Sequence, residues 1–415
     1  MLVPLVAAGV AVATPDPRAL IDVGRFGEAK ELLERQFASG TRDTETCFLL
    51  GLVAVEQRDY RKAISWFRLA LVRDPRSARL RLELGRAFYL AKDYANAELQ
   101  FERALAGDLP PPVQANARRF LDRIRREKRW SYKFSLALAP DTNINLGSSA
   151  KDTIIFGLPF ELGTDAKMHS GVGLVGDSSA EFSPRLNNRL RWRTGIAIHR
   201  SQYKQAQFDD TIASGWSGPQ WIGKNVEVSA AATALRRWYG GRPYQEAFGG
   251  QLETVFYSGS HSALLLGAAS QYFTYINIPQ QSGPVWSASA GIVRILDPAS
   301  SITLLINGAL QQARTRDLTN RSGIISLSAT HDFQGGFTVT VTPTYAFADY
   351  EAPDAFFGIT RRDRSKEFRA TVLNRRATIW RLTPTITYTR VRRRSSINIY
   401  NSRQDRVELG FTSAF

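Results

Sequence analysis

The 415-residue sequence has one cysteine, four histidines and no apolar run long enough for a membrane-spanning helix. Cys47 has no partner for an internal disulfide, and we expect it to lie in a helical core. His169, His199, His261 and His331 are scattered without the spacing of metal ligands. A spanning helix needs ~18 apolar residues. The sequence therefore argues against a helical membrane protein, whereas the alternating strands of a membrane β-barrel escape this test.

Catalytic signatures are also lacking. The sequence contains no nucleophile elbow, phosphate-binding loop or zinc-protease helix. The string GVGLVG, which begins at Gly171, matches a dinucleotide fingerprint, but it lies in an alternating segment with no helix after it. Glu253 and Glu367 would form a hydrolytic pair only if the fold joined them. We therefore predict that the protein is not an enzyme and uses neither a cofactor nor a metal.

Acidic residues are outnumbered by basic ones. The 54 Lys and Arg residues against 38 Asp and Glu residues give a formal net charge of +16. An excess of this size is typical of proteins that bind nucleic acid, an anionic lipid surface or an anionic partner. Composition alone leaves these three classes open.

The chain begins MLVPLVAAGVAVATPDPR, with a short apolar run over residues 2–12 and the small-x-small tripeptide AVA. This pattern is typical of a secretory signal peptide, although no basic residues precede the run. We therefore predict a signal peptide over residues 1–15. The alternative, a buried first helix, is disfavoured by the many small residues and by Pro15 and Pro17.

Two stretches of the first third align at a fixed spacing of about 34 residues. They read LLGLVAVEQRDYRKAISWFRLALVRDP and ELGRAFYLAKDYANAELQFERALAGDLP. The matched pairs are Gly51 with Gly85, Tyr60 with Tyr94, Ala63 with Ala97, Phe67 with Phe101 and Ala70 with Ala104. Small residues at a helix crossing and this period resemble the tetratricopeptide repeat, in which helical hairpins stack on one another. A further amphipathic helix, which carries Val113, Ala117, Phe120 and Ile124 on one face, is expected to cap the array.

Tetratricopeptide repeats usually bind an extended peptide or a partner helix on their concave face. By this resemblance, the client-binding groove is predicted to contain Glu45, Phe48, Leu52, Arg79, Arg86 and Tyr89. The alternative is that the array is a spacer or a dimerisation surface.

From Trp130 onward the period of the apolar residues changes from 3.6 to 2. About fourteen alternating segments follow, each near the ~9–11 residues of a tilted membrane strand. They begin near residues 130, 171, 189, 210, 225, 245, 261, 284, 301, 322, 336, 364, 377 and 403. The sequence thus predicts a two-domain α + β chain. An α-helical solenoid like a tetratricopeptide array spans residues 16–128, and a transmembrane antiparallel β-barrel of about 14 strands spans residues 129–415.

The connections between these segments differ in length. SPRLNN, LDPASS and QGG are short, whereas PDTNINLGSSAKDTIIFGLPFELGTDAK, ADYEAPDAFFGITRRDR and VRRRSSINIYNSR are long. Short turns on one rim and long loops on the other are typical of outer-membrane barrels. Trp130, Phe347, Trp380 and Tyr388 suit the two membrane interfaces. A soluble β-sandwich would also alternate. We expect an outer-membrane protein whose helical domain lies in the periplasm.

Charged residues on the barrel segments are expected inside the barrel or at its rim, because arginine facing lipid costs ~2–4 kcal/mol at the midplane. The predicted lumen or rim residues are Arg189, Arg191, Arg193, Arg361, Arg362, Asp363 and Arg381. The first three either guide a polar or acidic segment or form ion pairs that stiffen the barrel. The acidic partners of such pairs would be Glu227, Glu253 or Glu367.

The sequence finishes DRVELGFTSAF, in which apolar residues alternate with polar ones. We predict that this segment closes the barrel by pairing with WSYKFSLALA, which removes both exposed sheet edges. Arg406 and Glu408 would then face inward. The predicted lipid-facing closing signal consists of Val407, Leu409, Phe411 and Phe415. A terminal aromatic of this kind is similar to the signal read by barrel-assembly machinery.

The combination resembles the surface lipoprotein assembly modulators, also called Slam-type outer-membrane proteins. The most specific matches are PDTNIN from Pro140 to Asn145, the triplet from Arg361 to Asp363, and Ser396-Ile397 with Tyr400. The resemblance implies a protein that moves lipoproteins or secreted carrier proteins across the outer membrane. It also implies a client lipoprotein or secreted protein as partner, contact with outer-membrane lipid and barrel-assembly machinery, a monomeric barrel and no nucleic acid. The helical domain here is short, and no client signature can be read.

Two other functions follow from the composition. A basic lumen suggests a passive outer-membrane porin selective for small anions. The positive charge also suits a soluble basic scaffold that binds nucleic acid, which fractionation with the membrane would exclude.

Overall fold

The computed structural model describes residues 16–150, 152–155, 158–259, 261–379 and 382–413. The predicted signal peptide lies outside the described residues, as do Trp380, Arg381 and Phe415. Within the described ranges, no helix combines the length and the apolar character that crossing a membrane requires.

The first domain is helical, as predicted, and its described residues form seven helices. Several begin at a side-chain cap: Asp43 accepts a hydrogen bond from the amide of Thr46, and Ser77 accepts one from the amide of Leu80. The helices are α1 (Pro17–Asp22), α2 (Phe26–Ala38), α3 (Thr44–Glu56), α4 (Tyr60–Arg73), α5 (Ala78–Leu90), α6 (Tyr94–Leu105) and α7 (Pro111–Glu127).

The repeated residues form the core of this domain. A side chain at Gly51 would collide with Phe67, and one at Gly85 would press on Phe101, so both glycines let the two helices of a hairpin approach closely. The buried Cys47 lies in the same core, as predicted. The tetratricopeptide-like packing predicted from the 34-residue spacing is thereby confirmed.

Adding a methyl group at Gly51 is expected to destabilise the helical domain by about 1–3 kcal/mol. The new Cβ would lie 2.4 Å from Cε1 of the fully buried Phe67. Gly27→Ala in α2 is the matched control, because no atom lies within 4 Å of its new methyl group. That control should be neutral or stabilising by up to about 1 kcal/mol. Thermal unfolding followed by circular dichroism at 222 nm measures both, and equal midpoints for the two variants would contradict the close approach.

Fourteen antiparallel strands close into a barrel, and the predicted strand number is confirmed. Each barrel strand pairs with the barrel strand that follows it in the chain, and the first barrel strand also pairs with the last, which closes the barrel. The barrel strands are β1 (Trp130–Asp141), β4 (Gly171–Phe182), β5 (Leu190–Tyr203), β6 (Asp210–Ile222), β7 (Val226–Tyr239), β8 (Arg242–Ser258), β9 (Ser262–Tyr275), β10 (Gly283–Asp297), β11 (Ser300–Gln311), β12 (Asn320–Asp332), β13 (Phe337–Pro353), β14 (Thr360–Asn374), β15 (Thr383–Ser395) and β16 (Ser402–Thr412). Between β1 and β4, the short strands β2 (Asp152–Ile155) and β3 (Leu158–Glu161) form a separate hairpin.

The outer wall is apolar and exposed. Trp130 and Leu138 at opposite ends of β1 are 53% and 50% exposed, and Leu409 and Phe411 of β16 are 47% and 48% exposed. A soluble protein would bury residues of this kind, whereas a membrane barrel turns them to lipid. The ring of Tyr132 stacks on that of Trp130, and the ring of Phe182 lies tilted against it, so the three form part of an aromatic interface.

The prediction of alternating short and long connections is wrong for all but one loop. Among the connections between the described barrel strands, only that over residues 142–170 is long, and the others at both rims span two to eight residues. The reason is that the strand ladders continue beyond the lipid. β8 and β13 have 17 residues each, against the ~9–11 that span the membrane, so the predicted loop sequences are mostly strand.

Candidate functional site

The helical domain lies against the rim formed by the turns β4–β5, β6–β7, β8–β9, β10–β11, β12–β13 and β14–β15, here called the helix-bearing rim. His261 of the β8–β9 turn contacts the carbonyl oxygen of Leu105 at the end of α6, with Nε2 2.6 Å away. The guanidinium of Arg125 in α7 lies 4.4 Å from the ring centre of Tyr257. Gly336 of the β12–β13 turn, at φ 87°, approaches Val72 of α4. The two domains therefore touch through several helices and several turns.

The centre of this junction is a single carboxylate. Asp332, the last residue of β12, is fully buried, and its Oδ2 accepts hydrogen bonds from Arg81 of α5, Arg103 of α6 and Arg375 of the β14–β15 turn. The Arg81 and Arg375 contacts are each 2.8 Å long. Thr338 donates a further hydrogen bond of 2.7 Å to Oδ1. We call Asp332 and its three arginines the arginine clasp. It joins two helices to two barrel turns.

Arg81 is held inside the helical domain on its other side. Its guanidinium also donates to the carbonyl oxygen of Pro75 at 2.8 Å and to Gln100 at 3.0 Å. Burial lowers the pKa of Arg81 to about 10, and repulsion from Arg103 acts in the same direction, whereas Asp332 opposes both. Arg81 therefore stays charged at neutral pH and depends on Asp332 for its compensating charge.

Sequence reasoning missed the arginine clasp, although one signal was present. At about 100° per residue, Arg81 falls on the same side of α5 as Leu84 and Phe88, which are both buried. An arginine in an apolar register predicts a buried ion pair. No local pattern, however, identifies Asp332, which is 251 residues away.

Beside the arginine clasp, α6 and α7 enclose a cavity of about 430 Å³ with the β6–β7 and β8–β9 turns. Glu102 of α6 lines it, together with Arg125 and Tyr257. Burial, together with repulsion from Glu98 and Glu227, raises the pKa of Glu102 to about 7, although Arg125 and Lys128 act in the opposite direction. The junction thus contains a carboxyl group that titrates near neutrality.

Helix stability is expected to fall as the pH rises from about 4.5 to about 7. In this window the unfolded chain releases the Glu102 proton at the ordinary value of 4.5, while the folded chain retains it until about 7. Glu102→Gln should therefore raise the melting temperature of the helical signal at pH 8 and leave it unchanged at pH 4. Glu31→Gln, at an exposed position of α2, is the control. A gain for Glu102→Gln of equal size at both pH values would rule out titration as the cause.

The predicted groove residues lie on α3 and α5, and the structure separates them into two groups. Phe48 is only 4% exposed, so its ring belongs to the core and does not offer a contact surface as predicted; Arg79 covers it at 4.4 Å from the ring centre. Leu52 also packs against the core. Arg79 itself is exposed.

The remaining groove residues contact neighbouring helices. Glu45 pairs with Arg18 of α1 at 2.6 Å. The Tyr89 hydroxyl donates to Glu127 at the end of α7, at 3.1 Å. Arg86 lies 3.6 Å from Glu56 and 3.5 Å from Glu83, with much of its side chain exposed. The accessible part of the predicted groove is therefore Arg79 and Arg86, flanked by acidic groups.

The groove faces away from the barrel. Arg79 and Arg86 are seven residues apart on α5 and so point in nearly the same direction, whereas Arg81 points about 200° from Arg79. Arg81 faces Asp332. The helical domain thus attaches by one side and leaves its predicted binding side open.

The predicted arginine ladder does not line the lumen as a unit. Of the three ladder residues, all within the described part of the chain, Arg193 is the one that forms lumen ion pairs, 2.8 Å from Glu181 and 3.5 Å from Glu253. Arg191 is buried at the junction, where it donates to the carbonyl oxygen of Lys128 at 3.4 Å, and Arg189 lies exposed in the turn before β5. Ion pairing, the alternative reading, describes Arg193 best.

The residues that carried the family resemblance meet at the opposite rim, here called the outer rim. Asp141 accepts a hydrogen bond from Gln404 of β16 at 2.6 Å, and the buried Asn143 donates to the carbonyl oxygen of Arg403 at 2.9 Å. Thr153 of the loop hairpin donates to Asn398 at 2.7 Å. The long first connection is therefore fastened to the β15–β16 loop and to the closing strand.

The second motif stiffens the same rim. Arg361 pairs with Asp363 at 2.7 Å, and its guanidinium lies 3.4 Å from the ring centre of Tyr400. The amide of Arg362 donates to Ser396 at 2.9 Å. The Arg362 side chain is exposed on the outer wall, because its register partner Asp349 lies on the lipid-facing side of β13. Arg362 therefore lies at the rim, one of the two positions predicted for it, but its side chain does not face the lumen.

The closing strand pairs with β1 in the register Leu136 with Phe411 and Leu138 with Leu409. Leu409 and Phe411 are exposed on the lipid side, with Val407 on the same face, whereas Arg406 and Glu408 form a 2.9 Å ion pair on the inner face. Glu253 and Glu367 lie on β8 and β14, which are not neighbours in the barrel, and each contacts a different arginine: Glu253 lies 3.5 Å from Arg193, and Glu367 lies 3.0 Å from Arg369. In the described part of the chain, no three His, Cys, Asp or Glu residues cluster as metal ligands would.

Comparisons with known families match both parts of the chain. A family model described as surface lipoprotein assembly modifier matches residues 130–415. A tetratricopeptide-repeat model matches residues 18–75 and 48–111. A comparison with curated proteins found no match.

Three of the solved structures that resemble this chain are the following. A Pseudomonas aeruginosa FadL homologue is 10% identical, with a TM-score of 0.40, over 76% of this chain and 92% of that one. The outer membrane channel DcaP of Acinetobacter baumannii is 6% identical, with a TM-score of 0.40, over 68% and 96%. The Pseudomonas putida toluene transporter TodX is 10% identical, with a TM-score of 0.35, over 68% and 89%.

Proposed function

Because the chain belongs to the surface lipoprotein assembly modifier family, we propose that it is an export factor that receives a lipoprotein client in the periplasm and helps it reach the cell surface. The protein is an outer-membrane barrel, and its helical domain lies on the periplasmic side. The proposal concerns the two finer steps, capture by the repeats and passage assisted by the barrel.

The observation that carries the proposal is the arginine clasp. A buried contact of three arginines with one carboxylate holds this array directly on the barrel rim. A client bound on the open side of α5 is then kept within one small domain's width of the barrel. A fixed distance of this kind raises the effective concentration of the client at the barrel.

The chemistry of the open side favours an acidic client segment. Arg79 and Arg86 present two guanidinium groups on one face of α5. Guanidinium groups bind carboxylates in a planar, two-pronged geometry. The neighbouring Glu56 and Glu83 compete for Arg86 at 3.5–3.6 Å, so a client carboxylate at Arg86 replaces weak existing contacts.

Charge reversal on the open side tests capture. Arg79→Glu with Arg86→Glu is expected to lower surface display of a co-expressed lipoprotein at least tenfold, with barrel insertion unchanged. Arg35→Glu with Arg61→Glu, at exposed positions of α2 and α4, is the charge-matched control. Surface protease accessibility of the lipoprotein measures display, and heat-modifiable migration of the barrel measures insertion. Equal display in both double variants would rule out capture at this groove.

A passive anion-selective porin is the alternative. It was suggested by the arginine ladder, whose members lie in three different environments, with Arg193 neutralised by Glu181 and Glu253. A barrel that shows steady anion-selective conductance in a planar bilayer, with no effect of either double variant on lipoprotein display, would favour the porin.

A further inference from the structure

Three cations stand side by side on the outer wall of the barrel. Lys366 of β14 is the register partner of Arg392 of β15, and Arg392 is the partner of Arg403 of β16. All three side chains are exposed. We call these residues the outer cation row. Residues directly opposite each other on adjacent strands have Cβ atoms about 4.5–5.5 Å apart, and like charges in such positions are destabilising.

The row lies just beyond the lipid-facing surface. On β14, the next outward-facing residue toward the membrane is Phe368, which is 43% exposed. On β15 and β16, one position lies between the row and the apolar face, occupied by Arg390 and Asp405, which pair at 3.6 Å. Two residues of strand rise about 6.6 Å. The cations are therefore within one or two such steps of hydrocarbon, at the depth of lipid headgroups.

Nearby acids do not neutralise the row. Asp405 is taken by Arg390 and by the Tyr388 hydroxyl at 2.6 Å, and Asp349 is taken by Arg364 at 2.7 Å. Among the described residues, no carboxylate forms an ion pair with any of the three cations of the row. Three unpaired like charges at headgroup depth indicate an anionic ligand that comes from the membrane.

The rim that carries the row is the one opposite the periplasmic helices, so the row faces the outer leaflet. We propose that the outer cation row binds the phosphate groups of a phosphorylated glycolipid of that leaflet. Arginine forks bind phosphate oxygens in pairs, and a lysine adds a compact charge. Phe368 and Val407, which face lipid on the flanking strands, contact the acyl chains of the same molecule.

The row also flanks the barrel seam. Arg403 lies on β16, and the carbonyl oxygen of Arg403 accepts the hydrogen bond from Asn143 that fastens the first outer loop. A glycolipid bound across β14, β15 and β16 therefore braces the strands next to the seam. Binding offsets the repulsion that the three cations exert on one another.

The chain supplies a matched control for this site. Arg200, Arg236 and Arg321 are also exposed on the outer wall, toward the outer ends of β5, β7 and β12. None of them has a cationic register partner: Arg200 faces Gly176 and Thr211, Arg236 faces Ala213 and Glu246, and Arg321 faces Leu310 and Asp349. Neutralising these three removes the same net charge without touching the row.

Binding to the full chain in detergent micelles tests the proposal, with bisphosphorylated lipid A and its dephosphorylated form as probes. Wild type should prefer the phosphorylated lipid at least tenfold. The triple variant Lys366→Gln, Arg392→Gln, Arg403→Gln should lose that preference, and the control triple variant should change it less than threefold. The single substitution Arg392→Gln is measured in parallel and should weaken binding of the phosphorylated lipid about threefold to tenfold.

A second measurement separates binding from folding. In micelles without anionic lipid, the row triple variant should resist heat unfolding at least as well as wild type, because the mutual repulsion is gone. Unchanged affinity in the row variant and in Arg392→Gln, or an equal loss in the control triple variant, overturns the proposal. Displacement of the phosphorylated lipid from wild type by a phosphate-free acidic peptide at equal concentration overturns it as well, and assigns the row to a protein segment.

Discussion

Asp332→Asn is expected to release the helical domain from the barrel and to lower lipoprotein display at least tenfold. The substitution removes the only negative charge that Arg81, Arg103 and Arg375 share within the described chain, at a position with no solvent exposure. Removing one partner of a buried ion pair costs about 3–5 kcal/mol, because the remaining charge stays desolvated. Limited proteolysis of membranes from the periplasmic side should then cleave between the helices and β1, while the barrel remains resistant.

Asp349→Asn is the control for this change. Asp349 also pairs with an arginine, Arg364, at 2.7 Å, but both side chains are 41% exposed. Exposed pairs contribute about 0–1 kcal/mol. The control should therefore leave protease resistance and display near the wild-type level. If Asp332→Asn resists protease like the control, the helical domain is held by its other contacts, and the arginine clasp loses its assigned role.

Gly410→Val is expected to reduce the fraction of folded barrel by more than half. A Cβ at Gly410 would lie 2.1 Å from the carbonyl oxygen of Leu136 and 2.6 Å from Cα of Ala137, across the seam between β16 and β1. Backbone atoms cannot move aside as a flexible side chain would, so the seam must open or shift. Overpacking of this kind costs about 1–3 kcal/mol or more. The heat-modifiable fraction in purified outer membranes measures the folded barrel.

Gly308→Val in β11 provides the comparison. Gly308 also lies within a barrel strand, on the lipid side, and the nearest atom to its added Cβ is 4.0 Å away. Its variant should fold like wild type. Loss of folded barrel in both variants would show that any valine in place of a strand glycine is harmful, and the seam would have no special role.

The two rims of the barrel contain different long-range contacts. At the periplasmic rim, one buried carboxylate joins helices to barrel turns. At the outer rim, Asp141, Asn143 and Gln404 fasten a loop to the closing strand. Both contacts join parts of the chain that are more than 200 residues apart.

Local repetition made much of the architecture predictable from the sequence. The change from a period of 3.6 to a period of 2 at Trp130 coincides with the first residue of β1, and fourteen alternating segments became fourteen strands. The match of Gly51 with Gly85 anticipated the close approach of each helix pair. These features are local, because the faces of a helix or strand follow from the spacing of apolar residues along a short stretch.

Other predictions failed because they depend on contacts between distant residues. Phe48 is predicted as a groove residue from its position in a repeat, but the packing of α3 against neighbouring helices buries its side chain. The segments predicted as long loops have the polar composition of loops, but hydrogen bonds to neighbouring strands extend β8 and β13 into them. Arg191 and Arg193 lie on the same face of β5 in the alternating pattern. Arg191 nevertheless contacts the helical domain, whereas Arg193 pairs with Glu181 in the lumen.

The sequence by itself determined the two domains, the helical period, the strand number and the lipid-facing residues, since each is a pattern repeated within about ten to thirty-five residues. Only the tertiary structure decided that Asp332 receives three arginines and that Lys366, Arg392 and Arg403 stand in one row. Charge pairing acts over a few ångströms of space and is indifferent to separation along the chain. The register of the closed sheet and the docking of the helices therefore had to exist before these charges became neighbours.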